Sequence, residues 1–589
     1  MKGVFGKVLN IDCTRQTHSA EAVEDAVYEQ YIGGKGLASY LLLRKNPEGV
    51  DSLSPANHLI LATGPANGFP IWGANRYAAY TKSPLTGVYS ESYSGGKAFL
   101  PIAKTGYDAI ILRGALEKWS YLEVSNDSVL FKDADFLVGK DSFETEKILR
   151  EKYHGAKAAI LTIGPAGENL VKFAYVNNDF GRSLGRTGIG AVMGSKKIKA
   201  IVFMGDQNKE AADPALLRDF WNKQLKAGLE LPGFQTYKKF GTAMMVDIAS
   251  KVEAFPSRYW QQGTVPHVER INAHALNEEC EVKPKACTYC FISCTRETTV
   301  KSGRHKGLKL DGPEYETIGA FGGLNMVTDI KEVAYLNDIC DRLGVDTMTA
   351  GNVTAFAIEA YKRGKSDFAL DYGDVDRIAE LLQMIAYREG IGNILAEGVR
   401  YAAKELGLED ISIHVKGLEV PSFDPRYLKG MGLGFAVSDR GACHLRTTFY
   451  KPELAGLIPP GKIEGKASML LEYEDRLTIY DTLILCRFFR DLFLWDELST
   501  IVKGTMGLDY GEKDFRKISE NIALTIREFN LREGMSPEED VLPEFFFKHP
   551  LGKKRIVLNH GEFSRLIDDY YKLRGYSRSG KEKKEQEDG

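Results

Sequence analysis

From the N-terminus to about residue 206 the chain alternates short apolar runs with glycine-rich breaks, the signature of strands and turns. The runs are VFGKVLNI, HLILATGP, RYAAYTKSP, DAIILRG, YLEVSNDSVLF, AAILTIGP, VKFAYVN and AIVFMG. Two of them echo each other: residues 59–66 read LILATGPA and residues 159–166 read AILTIGPA. Each copy is followed by a basic–aromatic–Ala step (Arg76-Tyr77-Ala78, then Lys172-Phe173-Ala174), a glycine-rich stretch and a closing strand, AIILRG or AIVFMG. These features in one order imply an internal duplication, two related β units packed as a pair around a shared cleft.

From Asp213 the apolar period becomes that of helices, as in DPALLRDFWNKQLKAGLEL, EVAYLNDICDRLGVDTMTAGNVTAFAIEAYKRG and VDRIAELLQMIAYREGIGNILAEGVRYAAKELG. Residues 416 to about 575 read the same way, with EDRLTIYDTLILCRFFRDLF as a long apolar stretch. The tail RSGKEKKEQEDG carries charge without apolar residues, and disorder is expected from about residue 577. The expected fold class is therefore α+β. A β-rich N-terminal domain of two related β units (1–206) precedes two mainly helical domains, 207–415 and 416–589.

A chain of 589 residues with 43% hydrophobic content and 59 glycines has material for several globular cores. Its 77 Lys and Arg against 80 Asp and Glu leave a net charge of −3, which gives no footprint for nucleic acid. No apolar run reaches the ~18 residues of a membrane span, and the start, MKGVFGKVLNIDCTRQ, has no signal-peptide core. A cytoplasmic setting is expected. There the eight cysteines are thiols, metal ligands or reactive groups rather than disulfides.

Three of the eight crowd into KACTYCFISCTRE as Cys287, Cys290 and Cys294, a C-x2-C-x3-C spacing. One chemistry for it is structural zinc, completed by Cys280 or a histidine such as His305. Another is a 4Fe–4S cubane, whose close cysteines wrap three corners while a remote one takes the fourth. Cys280, Cys340, Cys443 and Cys486 are the candidates for that remote thiol. Cys340 stands beside Asp341-Arg-Leu-Gly-Val-Asp346, and Cys486 ends Asp481-Thr-Leu-Ile-Leu-Cys486, so the two stretches share a shape.

With these two stretches the chain resembles the tungsten-containing aldehyde:ferredoxin oxidoreductase family, whose pterin motif D-x-x-G-L-(C/D) is used twice. Val345 replaces Leu in the first copy and Ile484 replaces Gly in the second. The stretches YIGGKGLASYLL, GANRYAAYTKSPLTG, GRSLGRTGIGAVMGSKKIKAI, DGPEYET and DRGACHLR extend the likeness over nearly the whole chain. The resemblance implies two pterins on one tungsten or molybdenum, and one 4Fe–4S cluster on Cys287, Cys290, Cys294 and Cys486. It also implies a magnesium bridging the pterin phosphates near the carbonyls of Tyr93 and Ser183.

By the same likeness Asp341, Gly344, Asp346 and Thr347 would hold one pterin, and Asp481 with Leu485 the other. A two-pronged carboxylate suits the N–H edge of a pterin as it suits arginine. Arg76 is expected to bridge pterin and cluster, with Asn75, Arg182 and Arg446 also binding cofactor. Glycine-rich turns at Gly95-Gly96 and from Gly185 to Gly190 offer backbone N–H groups to phosphates. Gly188-x-Gly190-x-x-x-Gly194 misses the dinucleotide spacing.

The expected activity is oxidation of a small-molecule aldehyde to its acid, with electrons leaving through the cluster to ferredoxin or a separate iron–sulfur subunit. Glu314 and Glu316 are the candidate proton acceptors, Glu314 preferred because the resemblance places the family's glutamate directly after Gly-Pro, and His444 is the candidate donor to the developing oxyanion. An alternative keeps the cofactors in a carboxylate- or aromatic thioester-reducing subunit of a larger complex. GGLNMV (322–327) lacks the extra cysteine that some such relatives could use as a metal ligand. A more remote alternative is a non-catalytic scaffold stapled by zinc on Cys280, Cys287, Cys290 and Cys294. A homodimer is left open.

Overall fold

In the computed structural model, which describes residues 1–579, the N-terminal part builds two six-stranded sheets. The first contains β1 (Lys7–Asp12), β2 (Thr17–Ala22), β3 (Leu59–Ala62), β4 (Tyr77–Lys82), β5 (Tyr89–Ser94) and β6 (Ala109–Arg113). The second contains β7 (Ser120–Ser125), β8 (Val129–Asp133), β9 (Ala159–Thr162), β10 (Val176–Asn178), β11 (Arg182–Leu184) and β12 (Ile198–Met204). Their orders, β2-β1-β6-β3-β4-β5 and β8-β7-β12-β9-β10-β11, are the same path drawn twice. In each, the closing strand runs parallel to the first (β6 to β1, β12 to β7) and antiparallel to its other neighbour. The duplication is therefore real.

Register makes the equivalence residue by residue. Ala62 lies opposite Ala78, which lies opposite Tyr93; Thr162 lies opposite Asn177, which lies opposite Ser183. Tyr93 and Ser183 are thus counterparts. The Lys172-Phe173-Ala174 step is not the counterpart of Arg76-Tyr77-Ala78, because Ala174 bridges to Val345 and Asn177 takes the place of Ala78. Hydrogen bonding to β9 sets that register, and a three-residue echo carries no information about it.

Between the sheets lies one core. Leu9, Leu59, Leu61 and Leu112 from the first sheet meet Leu122, Leu161, Ile201 and Phe203 from the second. The alternate residues Ile60, Ala62, Tyr80 and Ile111 point the other way, into a core shared with the helices Gly34–Lys45, Lys466–Leu483 and Glu512–Arg532. Burial on both faces explains why β3 reads as an unbroken apolar run.

The N-terminal part also contains helices that strand periodicity did not reveal, among them Gly34–Lys45, Ser142–Lys152 and Ile189–Ser195. The glycines of the first read as a turn. Gly36 is there because a Cβ would lie 2.0 Å from the Tyr31 carbonyl oxygen. Ser142–Lys152 is announced by a capping box between Asp141 and Glu144. The remainder is mostly helical, but Cys280–Lys285, Thr295–Val300 and Lys309–Asp311 form a three-stranded antiparallel sheet inside the stretch expected to be helical. The cysteine triplet occupies the loop between its first two strands.

Helices Ile330–Leu343 and Lys466–Leu483 end alike. Gly344 (φ 78°, ψ 43°) and Ile484 (φ 57°, ψ 47°) both adopt the left-handed conformation. Each donates its N–H to the carbonyl four residues back, Cys340 or Tyr480, and the next N–H shares that carbonyl. The loss of glycine at 484 therefore leaves the backbone unchanged. Each end is covered by one Gly-Pro-Ala turn, so close that a Cβ on Gly164 would lie 2.4 Å from the Leu343 oxygen, and one on Gly64 2.4 Å from the Leu483 oxygen. The internal symmetry of the sheets thus extends to both helix ends.

The charged tail lies mostly outside the described residues. Where it begins the chain is still tied down, Arg578 Nη2 donating to Asp568 Oδ1 at 2.8 Å. No described helix is long and apolar enough to cross a membrane.

Candidate functional site

A cavity of about 350 Å³ opens between β5, β11 and the two helix ends. Tyr93 and Ser183, the paired positions of the two sheets, both line it, as does Gly185. At one end the Asp341 carboxylate accepts from the Tyr175 hydroxyl (2.8 Å) and Asn337 Nδ2 (2.7 Å). Burial holds Asp341 well above the ordinary carboxylate range, against the lowering effect of those two donors. Asp346 caps helix Thr347–Lys362, accepting from the Thr349 N–H at 3.1 Å and from Arg186 Nε at 3.2 Å. Thr347 Oγ1 meets Thr317 Oγ1 at 2.9 Å. The stretch is thus a glycine-capped helix end and a carboxylate site together.

At the other end Asp481 Oδ2 accepts from Arg446 Nη1 (2.6 Å) and Arg487 Nη2 (2.5 Å). Arg446 also bonds Glu91, which is fully buried on β5 and reached by Lys35 at 3.2 Å. Burial would raise Glu91, but Arg446, Lys35 and Arg440 outweigh it and hold the carboxyl ionised. Leu485 lines the cavity beside them. Glu91, Lys35, Arg186, Arg440 and Arg487 were not legible as site residues. Each is an ordinary polar position on its own element, and only packing gathers them.

The four expected cluster thiols share one neighbourhood. Cys290 and Cys294 both lie in the electrostatic range of Cys287 and Cys486. Gly73 ties the two segments together, donating its N–H to the Tyr289 carbonyl at 2.9 Å and accepting from the Cys486 N–H at 2.8 Å. Arg76 Nη2 stands 3.4 Å from Cys486 Sγ, within reach of the charges of Cys287 and Cys294, while its Nε has no partner. Asn75 Oδ1 beside it is also buried and unpartnered. Burial pushes the Cys290 thiol up to about 12, and Cys294 likewise rises well above its ordinary value. Such thiols need a cation to ionise.

The other remote candidates lie elsewhere. Cys280 begins a strand that ends at Lys285, about 17 Å away at strand rise. Its charged neighbours are Lys301, Glu279, Lys331 and Asp329, with no thiol among them. Cys340 is buried in its helix beside Asp341 and Asp346. Cys443 receives Arg440 Nη2 at 2.9 Å; burial raises this thiol, yet Arg440 and Arg446 outweigh burial and bring it down to about 6. Among the described residues no three His, Cys, Asp or Glu side chains converge as a single metal ion requires. A four-thiol zinc staple through Cys280 does not fit this geometry.

Gly95 and Gly96 pack against the cysteine loop and do not line the cavity. The Gly96 N–H donates to Cys287 Sγ at 3.2 Å, and a Cβ on Gly95 would lie 3.2 Å from the same sulfur. Arg182 pairs with Asp311 at 3.0 Å and faces the Cys287 and Cys294 charges.

Of the candidate acid–base groups, Glu314 caps the short helix Tyr315–Thr317 and accepts from the Thr242 hydroxyl. Glu316 Oε2 accepts from the Ser422 N–H at 2.8 Å, and its Oε1 stands 3.4 Å from His444 Nδ1 without hydrogen-bond alignment. Burial raises Glu316 to about 7. Burial, then the nearby Arg186, Arg440, Arg446 and Arg487, hold His444 well below its usual value, so the imidazole is neutral and the contact is no ion pair. A carboxyl poised near neutrality beside a neutral imidazole can exchange one proton and donate one hydrogen bond.

The residues 8–205 match the family model "Aldehyde ferredoxin oxidoreductase, N-terminal domain", and residues 220–588 match "Aldehyde ferredoxin oxidoreductase, domains 2 & 3". The tungsten-containing aldehyde ferredoxin oxidoreductase of Pyrococcus furiosus is 34% identical, over 99% of this chain and 98% of the relative. That of Thermococcus kodakarensis is also 34% identical, over 99% and 98%. A protein of P. furiosus named "Aliphatic sulfonate oxidoreductase, WOR-like subunit" is 30% identical over 98% of this chain and 96% of its own. Among solved structures, the BamBC active-site complex of benzoyl coenzyme A reductase superposes with a TM-score of 0.82 at 23% identity, covering 99% of this chain and 96% of that one, which shows a shared fold. Both family models and the full-length identity place this chain in the aldehyde ferredoxin oxidoreductase family, as an oxidoreductase.

Proposed function

We propose that the chain oxidises aldehydes to carboxylic acids at a tungsten (or molybdenum) bis-pterin centre in this cavity, with a 4Fe–4S cluster on Cys287, Cys290, Cys294 and Cys486 delivering electrons to ferredoxin or a dedicated iron–sulfur subunit. The observation that carries the reading is Arg76, which lines the cavity and meets the cysteine group at Cys486. The donor set fits the absent groups. Arg446 Nε, Arg487 Nη1 and Arg76 Nε are buried and unpartnered in the cavity wall, as suits anionic ligands, and Asp341 and Asp481 present acceptors at its two ends. Tyr93 and Ser183, symmetry counterparts on the two sheets, would hold a magnesium, which would offset phosphate charge there.

When bound, the metal centre would supply two-electron chemistry and the cluster one-electron relay. The protein supplies the rest. Glu316, rather than the Glu314 preferred on sequence, faces His444 and is placed to take a proton from water as it adds to the carbonyl carbon. Neutral His444 donates a ring N–H to the oxygen that gains charge. Phe423, stacked on Tyr450 at 4.1 Å and 6.0 Å from the His444 ring, gives that pair an apolar wall. The thioester-reducing alternative rests on likeness of fold at 23% identity, against 34% to the aldehyde enzymes.

Elemental analysis of anaerobically purified protein tests the reading. About four iron and one tungsten or molybdenum per chain, with aldehyde-dependent reduction of a viologen, is the expected result. One zinc without iron would end it.

A further inference from the structure

A second cavity, of about 420 Å³, shares no lining residue with the catalytic one. Its walls come from residues 258–261, the last turn of helix Thr347–Lys362 with Arg363, and residues 545–550. A space of that volume takes a small molecule. Arg258, Lys362 and Arg363 line it, and Glu359 is the one acid among the lining residues. That acid is already engaged: it pairs with Arg363, accepts from the Tyr372 hydroxyl at 2.6 Å and is reached by Gln261. Lys362 pairs at 2.8 Å with Asp371, which is exposed and outside the lining.

Arg258 has neither an ion pair nor a side-chain hydrogen bond among the described residues. Its guanidinium lies over the Tyr372 ring at 4.8 Å, with Asp371 in its field. The backbone fixes it there. Arg258, Tyr259 and Trp260 have φ of 46°, 44° and 65°, three consecutive left-handed residues without a glycine. The Arg258 and Tyr259 N–H groups donate to the Gly323 and Leu324 carbonyls, both at 3.1 Å. Arg426, fully buried, joins two of the walls: Nη2 donates to the Trp260 carbonyl at 2.5 Å and Nη1 to the His549 carbonyl at 2.9 Å, while Asp424 balances its charge. The cavity is therefore pre-formed, and its lining cations outnumber its lining acid. His549, stacked on Phe545 at 4.2 Å, registers that balance: burial, then Arg426, with Arg363 and Lys548 against Asp410, lowers its pKa.

We propose that this cavity is a binding site for a small phosphate-bearing anion, gripped by the guanidinium groups of Arg258 and Arg363, with Lys362 adding charge and the Phe545–His549 stack as an apolar wall. Cations converging from two separate segments suit an anion with several charged oxygens better than a single carboxylate. The site goes beyond the proposed aldehyde oxidation and does not depend on it.

The test is calorimetry on the anaerobically purified full-length protein at constant ionic strength, with pyrophosphate and ADP as probes. Wild type is expected to bind pyrophosphate once per chain with a Kd below about 1 mM. Arg258→Gln and Arg363→Gln should each weaken binding by about tenfold or more. Glu359→Gln keeps the shape of the side chain but removes the lining acid, and should tighten binding by about threefold, which a merely structural role would not produce. Lys503→Gln, which removes an exposed ion pair elsewhere, should change nothing. Because the Arg363 side chain is 39% exposed, its variant should melt as wild type does without a probe. ADP binding tighter than pyrophosphate would place a nucleoside phosphate here, its base against the aromatic wall; equal or weaker ADP binding would place a phosphate group alone, and either result supports the site. Absence of binding, equal loss in Lys503→Gln, or weaker binding in Glu359→Gln would overturn the inference. Failure of aldehyde oxidation would leave this result standing.

Discussion

Arg76 Nη2 lies 3.4 Å from Cys486 Sγ, although 410 residues separate the two in sequence. Burial would lower the Arg76 pKa, but the thiols of Cys486, Cys287 and Cys294 raise it, so the guanidinium keeps its charge against the sulfurs. A fixed positive charge beside a cluster favours its reduced, more negative form. Replacing Arg76 with Met should therefore lower the cluster's midpoint potential, on the order of 100 mV for one charge at this range. A spectroscopic redox titration reads the shift directly. A potential that rises or stays put would separate Arg76 from the cluster.

Cys486→Ala should abolish the broad visible absorbance and reduce iron content, because it removes the thiol that joins the triplet across Gly73. Cys13→Ala is the matched control. Cys13 is equally buried, but in the core between the two sheets, so its loss should cost stability and leave iron and absorbance intact. Identical spectra from the two variants would refute the ligand assignment.

Glu316 predicts the pH profile. Its pKa is raised from 4.5 to about 7, so the carboxylate that accepts a proton is present above about 7 and lost below it. Activity should fall on the acid side with a midpoint near 7, and Glu316→Gln should remove that limb along with most of the rate, by about 100-fold or more. Glu314→Gln should keep the limb. The same shift sets a stability trend: between 4.5 and about 7 the folded state holds a proton that the unfolded state has released, so stability falls as pH rises through that window. Glu316→Gln should flatten it in thermal melts.

Ile484 tests how far its burial offsets backbone strain. A β-branched residue in the left-handed region costs about 1–2 kcal/mol, which glycine would recover. Ile484 is also fully buried, with its side chain against Gly34, and removing such a side chain costs about 2–5 kcal/mol. The second effect is larger. Ile484→Gly should lower stability by about 1–3 kcal/mol, measured by denaturant midpoint, while cofactor content is kept. A more stable variant would mean the strain dominates.

Much of the fold was legible because it is written locally. The apolar runs of β3 and β9 and the echo of Gly64-Pro65-Ala66 in Gly164-Pro165-Ala166 announced two like units, and their strand orders coincide. The helix Gly34–Lys45 was hidden because its glycines serve close approach to Tyr31, a tertiary demand that reads locally as a turn. The three-stranded sheet around the triplet was hidden because its edge strands carry few buried apolar residues and its buried central strand, Thr295–Val300, reads TRETTV, so no apolar period marks it.

By itself, then, the sequence determined the kinds of chemistry available: a spaced thiol triplet, two Asp-headed stretches and a Gly-Pro-Glu-Tyr-Glu run, all functions of residue type and spacing along one chain. Tertiary structure decided which of them meet. It set Cys486 rather than Cys280, Cys340 or Cys443 beside the triplet and turned Glu316 rather than Glu314 toward His444. Those outcomes depend on burial and on distances between segments hundreds of residues apart, which no local pattern encodes.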